Sequence, residues 1–454
     1  MSLPPGPRGV LAVARAARDF NADPPGFAFT AQARWGPATG MRIGRDRLIF
    51  LHDPELIGEV LVDREGAFIK DRVTRGLALF LGHGLLTSDG ERWRRSRKVI
   101  APSLTRRHIE VYGEAMVAAT RGYVAQVRDG EVRDVHADMT ALTLEIVTRT
   151  LFGADLPGGH ERIGELVDAV MQDFQELQQT WRRYLPEWVP LAGRRRMRRI
   201  ADELDTYISA LIEARRASGA LGDDLLSRLL AAHDEAGGGI DDAQLRDELA
   251  TLFVAGHETT ANALTFALLL LAEHPEIAEV VAAEVDAVLG DRDAGAADAA
   301  ALVRCDAVFK EAMRLYPPAY MIGREAVKEV KVGPWTMAPG TTVLISPWAL
   351  HHDPKLFPDP EAFRPWRWLD PAIAALPRHA YMPFGGGARI CVGNHFALLE
   401  GVLCLATIVR GLRFERLDRR GLKLRSAITL RVVGGLRMRA RRRDAEAGAG
   451  AGAG

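Results

Sequence analysis

The loop sequence Phe384-Gly385-Gly386-Gly387-Ala388-Arg389-Ile390-Cys391-Val392-Gly393 carries the strongest chemical signal in this chain. Its four glycines let the backbone fold tightly around the thiol of Cys391, where larger side chains would crowd it. Arg389 supplies a fixed cation two residues before the cysteine. Such a loop is suited to hold a thiolate against a large flat ligand, and haem iron is the leading candidate.

Simpler explanations of this loop stay open at the level of sequence. A cysteine is often a small core residue, and a glycine-rich run is often only a turn. Cys391 could also be the nucleophile of a hydrolase, but no His with an Asn or Asp partner is marked in the sequence. Five fixed positions within ten residues favour the ligand interpretation.

Composition excludes several classes of protein. The 454 residues contain 59 basic and 59 acidic side chains, and this balance argues against a nucleic-acid partner. Three scattered cysteines, Cys305, Cys391 and Cys404, argue against a disulfide framework and for a reducing compartment. No secretory signal and no run of eighteen apolar residues is present. We therefore expect a soluble, cytoplasmic protein without a transmembrane segment.

The chain pattern predicts a mainly α fold with small β-sheets (α+β). Helical periodicity dominates from about residue 90 to 320, and strand-like runs lie towards both ends. Residues 38–43 and 47–51 flank a turn and predict a hairpin. We expect one catalytic domain over residues 1–437. Residues 438–454, a basic cluster followed by alternating Gly and Ala, are predicted to be a disordered tail.

One long helix is predicted after residue 240. Asp241 is a favourable N-cap, and Gln244 three residues later would complete a capping box. Apolar residues recur with helical spacing until Pro275 ends the pattern. A helix of about 50 Å must run through the core of a protein this size.

The centre of this helix, Ala255-Gly256-His257-Glu258-Thr259-Thr260, is poorly suited to a helix. A tolerated kink is one explanation. A zinc site is not, because the second histidine would have to stand at Ala261. The functional interpretation is a gap in the helix beside a cofactor, where oxygen and water lie next to a hydroxyl and a carboxylate.

These two segments resemble the haem-binding loop and the oxygen-activating segment of the cytochrome P-450 superfamily, and the chain is similar to its soluble bacterial-type members. Two further matches, Trp93 with Arg97 and Glu311 with Arg314, occur in the order of that family. The resemblance extends from about residue 4 to 437. It implies a long central helix over a haem b that is held by the Cys391 loop.

The resemblance assigns roles to particular residues. Cys391 would be the axial metal ligand, and its thiolate would promote cleavage of the O–O bond. Thr259 and Glu258 would deliver protons. The remaining haem-binding candidates are Phe384, Gly387, Arg389, Gly393, Trp93, Arg97, Arg324, Ala255 and Gly256. Glu311, Arg314 and Arg367 would form a structural triad, with Trp366 and Trp368 departing from the commoner Glu and Phe.

The implied activity is that of a monooxygenase, which inserts one oxygen atom of O2 into an apolar substrate such as a fatty acid, terpenoid or polyketide. Its electrons would come from NAD(P)H through a reductase and a ferredoxin or flavodoxin. That partner would dock on exposed cations, with Arg92, Arg94, Arg95 and Lys98 as candidates. The segment Trp181–Arg199, rich in Arg and aromatic residues, is a candidate for peripheral membrane contact.

Two other functions are compatible with a thiolate loop. A haem-thiolate isomerase or dehydratase would not need the Thr259 and Glu258 pair. A haem-binding or sensing protein without turnover would not need an oxygen-activating segment. The Thr259 and Glu258 pair argues against the first alternative, and the oxygen-activating segment together with the expected apolar pocket argues against the second.

Overall fold

The computed structural model describes residues 3–63, 65–153, 160–179, 185, 189, 191–219, 222, 224–234, 240–417 and 421–443. Its α-helices are α1 Val10–Ala22, α2 Pro24–Trp35, α3 Pro54–Val62, α4 Arg72–Gly76, α5 Ala78–Leu81, α6 Gly90–Ile100, α7 Arg106–Ile109, α8 Gly113–Gln126, α9 Val135–Leu151, α10 His160–Gln179, α11 Ala192–Ser218, α12 Leu225–Asp234, α13 Asp242–Glu273, α14 Pro275–Leu289, α15 Val303–Leu315, α16 Pro347–His351 and α17 Asn394–Gly411. Its strands are β1 Ala38–Ile43, β2 Asp46–Leu51, β3 Phe68–Lys70, β4 Val132–Asp134, β5 Ile322–Ala326, β6 Val330–Val332, β7 Trp335–Met337, β8 Thr341–Ile345, β9 Leu412–Arg416, β10 Leu424–Ser426, β11 Leu430–Val432 and β12 Arg437–Arg442.

Helix α13 is the central element of the fold. It has 32 residues, which corresponds to about 48 Å, and most of its side chains are buried. Asp241 caps it by accepting a hydrogen bond from the N–H of Gln244 at 2.6 Å. The predicted helix and its end before Pro275 are confirmed, but the reciprocal half of the capping box is wrong. The Gln244 amide instead donates to the hydroxyl of Ser96 on α6, at 2.9 Å.

The largest sheet has the strand order β1-β2-β8-β5-β3. Its β1–β2 hairpin is the predicted one, with Ala38 opposite Leu51 and Ile43 opposite Asp46. Strand β8 runs parallel to β2, and β5 and β3 continue the sheet in antiparallel pairs. Smaller sheets are β4-β12-β9, β10-β11 and β6-β7. The predicted class, mainly α with small sheets, is confirmed.

The prediction of a disordered tail from residue 438 is wrong for residues 438–443, the first six of that segment. Strand β12 pairs with β9 on one side and β4 on the other. Met438 and Ala440 are fully buried, because alternate residues of a strand face the core while the arginines between them face outward. Arg443 forms an ion pair with Asp286 at 2.7 Å. Residues 444–454 lie outside the described residues.

No helix in the part of the chain that the structure describes has both the length and the apolar character needed to cross a membrane. The aromatic residues of the segment proposed for membrane contact, Trp181, Tyr184 and Trp188, lie outside the described residues. Its basic end forms the start of α11, which begins at Ala192.

Two neighbouring carboxylates dock the loop 82–88 on α13. Asp247 accepts a hydrogen bond from the N–H of His83 at 2.7 Å, and Glu248 accepts one from the N–H of Leu85 at 2.8 Å. Glu248 is fully buried. Desolvation raises its pKa to about 7, against smaller opposing effects of hydrogen bonds from Ser96 and the Leu85 N–H.

Because of this raised pKa, we expect the substitution Glu248→Gln to increase folding stability relative to wild type as the pH rises. A carboxyl with a folded-state pKa above its unfolded value contributes stability below the unfolded pKa and loses it as pH rises through the folded pKa, about 7. Glutamine cannot ionise, so the melting temperature of the variant relative to wild type should rise between pH 5 and pH 8. The corresponding free energy is at most about 3 kcal/mol.

Thermal melting followed by circular dichroism at both pH values is the measurement. Glu91→Gln is the control, since the Glu91 side chain is exposed to solvent. A difference between the Glu248→Gln variant and wild type that stays constant from pH 5 to pH 8 would contradict the raised pKa.

Candidate functional site

The loop 384–393 closes on itself and on α3. The N–H of Cys391 donates to the carbonyl of Phe384 at 2.9 Å, and the N–H of Ile390 donates to that of Gly387 at 3.2 Å. Gly387 has a φ of +68°, and a Cβ there would stand 1.8 Å from the carbonyl oxygen of Leu61. Only glycine fits this approach, so the loop depends on glycine at position 387.

The three cysteines differ in accessibility. Cys391 is exposed, whereas Cys305 and Cys404 are fully buried in α15 and α17. Dense surroundings desolvate the Cys391 thiol and raise its pKa, while the N–H of Gly393 and the charges of Arg97 and Lys70 act in the opposite direction. Of the three thiols, only that of Cys391 is presented to a ligand.

Trp93, Arg97 and Arg389 meet beside the cysteine loop. Arg97 donates to the carbonyl of Ile390 at 2.8 Å, one residue from Cys391. The guanidinium of Arg389 lies 4.2 Å from the centroid of the Trp93 ring and donates to the carbonyl of Ser88 at 2.9 Å. Trp93 and Arg97 belong to α6, and Arg389 belongs to the loop. All three are residues that the sequence predicts to bind haem.

Arg324 joins this group through the large sheet, together with a residue that the sequence analysis missed. Lys70 on β3 is opposite Arg324 on β5. Desolvation and the charges of Arg324 and Arg389 lower the pKa of Lys70 to about 7, although Asp71 and Asp89 oppose this. Burial and the charge of Arg389 lower the pKa of Arg324 to about 10. Spacing along the chain gives no signal for Lys70, because only strand pairing brings it here.

The chemistry of this donor set fits haem b. An accessible thiol would bind the iron, and a cluster of cations lies close to it. Desolvation is the largest cause of the lowered pKa values of Lys70 and Arg324, and repulsion from neighbouring cations adds to it. Two propionate groups would reduce the repulsion between these cations and would accept hydrogen bonds from the Trp93 indole and from guanidinium groups.

The centre of α13 has one accessible face. Ala255 is exposed and Gly256 and Thr259 are partly exposed, although their neighbours on the helix are buried. The predicted gap in the helix is wrong, because α13 is continuous from residue 242 to 273. The Thr259 hydroxyl donates to the carbonyl of Ala255 at 2.9 Å, and Thr143 of α9 donates to the carbonyl of His257 at 3.0 Å. The threonines bond to helix carbonyls without interrupting the helix.

Glu258 and Thr259 are adjacent on α13, and their side chains leave the helix about 100° apart around its axis. Glu258 is buried, and its carboxylate accepts a hydrogen bond from the hydroxyl of Thr429 at 2.5 Å. Thr429 lies in the turn between β10 and β11, 171 residues further along the chain. The sequence gives no sign of this contact, because nothing in the local pattern around residue 429 indicates a partner on α13.

Glu311, Arg314 and Arg367 meet in the interior. Glu311 and Arg314 are fully buried and share two hydrogen bonds of 2.9 Å. Arg367 donates to the same carboxylate at 3.0 Å. Trp368, where the resemblance had led us to expect Phe, donates its indole N–H to Glu311 at 2.9 Å. The departure from the family pattern therefore adds a donor to the carboxylate.

The predicted partner-docking cations are not equivalent. Arg94, Arg95 and Lys98 on α6 are exposed. Arg92 forms an ion pair with Asp247 at 3.2 Å and donates to the carbonyl of His83 at 2.9 Å. Its charge is therefore used to hold the loop 82–88.

A small apolar void is enclosed by α5, α10, α11 and α13. It is lined by apolar side chains, among them Phe80, Val167, Val170, Ile200, Leu204 and Val254. Its accessible volume is about 10 Å³, the size of one water molecule.

Comparison with known proteins identifies the family. The sequence model of the cytochrome P450 family matches residues 4–430. The cyclooctat-9-en-7-ol 5-monooxygenase of Streptomyces melanosporofaciens is 36% identical over 379 residues, covering 82% of this chain and 81% of that protein. The cyclooctatin synthase of the same organism is 35% identical, covering 89% of this chain and 88% of that protein. The pentalenene oxygenase of Streptomyces avermitilis is 33% identical, covering 82% and 83% respectively.

The protein is thus an oxidoreductase of the haem-thiolate class, which incorporates oxygen into its substrate. The chain belongs to the cytochrome P450 family, and it binds haem through a cysteine thiolate. The family implies O2, an apolar substrate and a redox partner.

Glu311→Gln tests the energetic role of the buried triad. The substitution keeps the shape of the side chain but leaves Arg314 and Arg367 facing a neutral group in the interior. Removal of one partner of a buried ion pair costs about 3–5 kcal/mol, so the variant should unfold at clearly lower denaturant concentration. Denaturant unfolding followed by tryptophan fluorescence measures this loss.

Glu361→Gln is the matched control, because Glu361 is exposed on the loop that Arg314 contacts. A Glu311→Gln variant as stable as this control would show that the triad contributes no net stability.

Proposed function

We propose that this chain is a monooxygenase that hydroxylates or epoxidises an apolar cyclic terpenoid, with Cys391 as the haem ligand. The balanced hydroxylation is R–H + O2 + NADPH + H+ → R–OH + H2O + NADP+. The observation that carries the assignment is the accessible Cys391 thiol beside the cation cluster, since Cys305 and Cys404 are fully buried. Relatives named for oxygenation of cyclooctat-9-en-7-ol and pentalenene support the substrate class.

Haem b, when bound, supplies the activation of O2 for transfer to the substrate. Gly387 and Gly393 give the loop its close backbone path, and Phe384 accepts the hydrogen bond that closes it. The group that would hold the propionates is Trp93, Arg97, Arg324, Arg389 and Lys70. Their charge would fix the orientation of the cofactor relative to α13. Ala255 and Gly256 would border it with small, accessible surfaces.

Thr259 and Glu258 would control protons at the centre of α13. The Thr259 hydroxyl donates to the carbonyl of Ala255, so its oxygen lone pairs are available to a proton donor. Glu258 is the neighbouring acid, and its carboxylate is held by Thr429. A hydroxyl and a carboxyl at adjacent positions can pass a proton from solvent towards the accessible face of the helix, with water between them.

The substrate would occupy the space above Ala255. The apolar void beside Val254 is about 10 Å³ and too small for such a substrate, so the names of the relatives carry the proposed class. Residues 78–86, 319–322 and 427–428 would complete the pocket.

We propose a ferredoxin or flavodoxin, with its NAD(P)H reductase, as the electron donor. The exposed cations of α6, Arg94, Arg95 and Lys98, support docking of an acidic partner on that face. We further propose a cytoplasmic location, and we keep the segment 181–199 as a candidate for peripheral membrane contact.

Cys391→Ser tests the ligand assignment. The purified variant should lose the strongly red-shifted Soret band that a thiolate-ligated haem gives after reduction and addition of carbon monoxide, because a serine oxygen does not replace the thiolate sulfur. Cys305→Ala and Cys404→Ala are matched controls and should keep that band. An unchanged spectrum in the Cys391→Ser variant, or loss in either control alone, would overturn the assignment.

Thr259→Ala tests proton control. The variant should keep haem and substrate binding but release reducing equivalents as peroxide. The amount of product formed for each NADPH consumed should fall by about tenfold or more. Thr265→Ala is the matched control, because its hydroxyl makes the same type of bond to a helix carbonyl at a buried position. Peroxide and product assays with NADPH consumption measure this partition, and tight coupling in Thr259→Ala would contradict the role.

A further inference from the structure

The turn between β10 and β11 is held in position by hydrogen bonds to the segment that follows α15. Ala427 accepts a hydrogen bond from the hydroxyl of Tyr320 at 2.6 Å, and its N–H donates to the carbonyl of Thr429 at 3.1 Å. The N–H of Leu430 donates to the carbonyl of Pro318 at 2.9 Å. Both anchors lie in the segment that follows α15, so the turn 427–429 and this segment form one unit.

Thr429 is the point at which this unit touches α13. Its side chain is buried, and its hydroxyl donates to one oxygen of the Glu258 carboxylate. The distance of 2.5 Å between the two oxygens lies within the range of hydroxyl hydrogen bonds. The contact therefore restricts the rotamer of Glu258.

We propose that Thr429 is a positioning residue for the reaction, which holds the Glu258 carboxylate so that the acid is correctly placed for proton transfer beside Thr259. This inference rests on the proton role given to Glu258 in the proposed function. A second consequence follows for the turn 427–429, which would border the substrate. Through the hydrogen bond between Thr429 and Glu258, the position of this turn also affects the position of the proton donor.

The proposal predicts where the electrons go when the contact is lost. Without a positioned acid, proton delivery is no longer directed to oxygen insertion. The balanced side reaction O2 + NADPH + H+ → H2O2 + NADP+, which uses the same number of protons, then takes over. Thr429→Val keeps the shape of the side chain and removes only the hydroxyl. Thr429→Ser restores a hydroxyl with a smaller side chain.

The experiment uses the haem-loaded protein with NADPH and a surrogate ferredoxin and reductase. The probe is cyclooctat-9-en-7-ol or pentalenene, whichever gives the larger spin-state shift of the Soret band. We expect Thr429→Val to lower the product formed per NADPH about tenfold, the size of effect that loss of one hydrogen bond gives. KM should change little, and Thr429→Ser should restore most of the coupling.

Two further variants separate positioning from a general structural effect. Thr407→Val removes a hydroxyl that bonds only a helix carbonyl in α17, and it should match wild type. Glu258→Gln combined with Thr429→Val should be no more uncoupled than Glu258→Gln alone, because both act through one contact. Additive uncoupling in the double variant would overturn the proposal.

A stability cycle supplies a readout that does not depend on turnover. Melting temperatures of Glu258→Ala, Thr429→Val and their double variant should be non-additive, with the double variant losing less than the sum of the single losses. Alanine is used here because a glutamine oxygen could still accept the hydrogen bond from Thr429. Additive losses would mean that the two side chains do not interact, and the proposal would fall.

The outcomes also distinguish this proposal from the proposed function. If Glu258→Gln uncouples the reaction and Thr429→Val does not, Thr429 has no positioning role, and the proton role of Glu258 stands. If Glu258→Gln remains tightly coupled, the proton role of Glu258 fails, and the proposal for Thr429 fails with it.

Discussion

The carboxylate of Glu311 is the interaction on which the rest of the structure depends. It is fully buried and accepts hydrogen bonds from Arg314, Arg367 and Trp368, and another from the backbone N–H of residue 364. A charge this far from water is tolerable only if its oxygens are satisfied. The requirement fixes helix α15 to the irregular segment 358–369, which contains little regular structure of its own.

From this carboxylate, a chain of contacts leads to the cysteine loop. The ring of Trp368 lies 4.3 Å from that of Tyr381, whose hydroxyl donates to the carbonyl of Lys310 on α15. The N–H of Met382 donates to the imidazole of His351 at 3.0 Å. The loop 384–393 starts two residues later. Its geometry is therefore set by rigid neighbours on both sides, since Gly387 also packs against the carbonyl of Leu61.

The sequence predicts well what depends on neighbouring residues, and poorly what depends on pairing across the chain. The N-cap at Asp241 and the β1–β2 hairpin are local, and both are confirmed. Lys70 and Thr429 reach the site only through strand register and a turn packed on α13, so no spacing rule could find them. The order of residues 438–443 depends equally on β4 and β9, which supply its partners. Residue 258 shows this difference at a single position. Its identity as a glutamate suggests a role in proton transfer, but the direction of its side chain can be known only from the folded structure.

Helix α13 must be stable in the protein core and must also carry polar residues that contact the neighbouring loops, and these two requirements conflict. Gly256 and the threonines weaken a helix, and buried carboxylates at Glu248 and Glu258 add desolvation costs. Packing of α9 and other helices around α13 outweighs these losses, because tertiary contacts rather than propensity stabilise most helices in proteins. Each carboxylate then holds a separate loop, Glu248 the segment 82–88 and Glu258 the turn 427–429. A central helix with polar positions can thus position both loops that would border the substrate, which an apolar helix of the same length could not do.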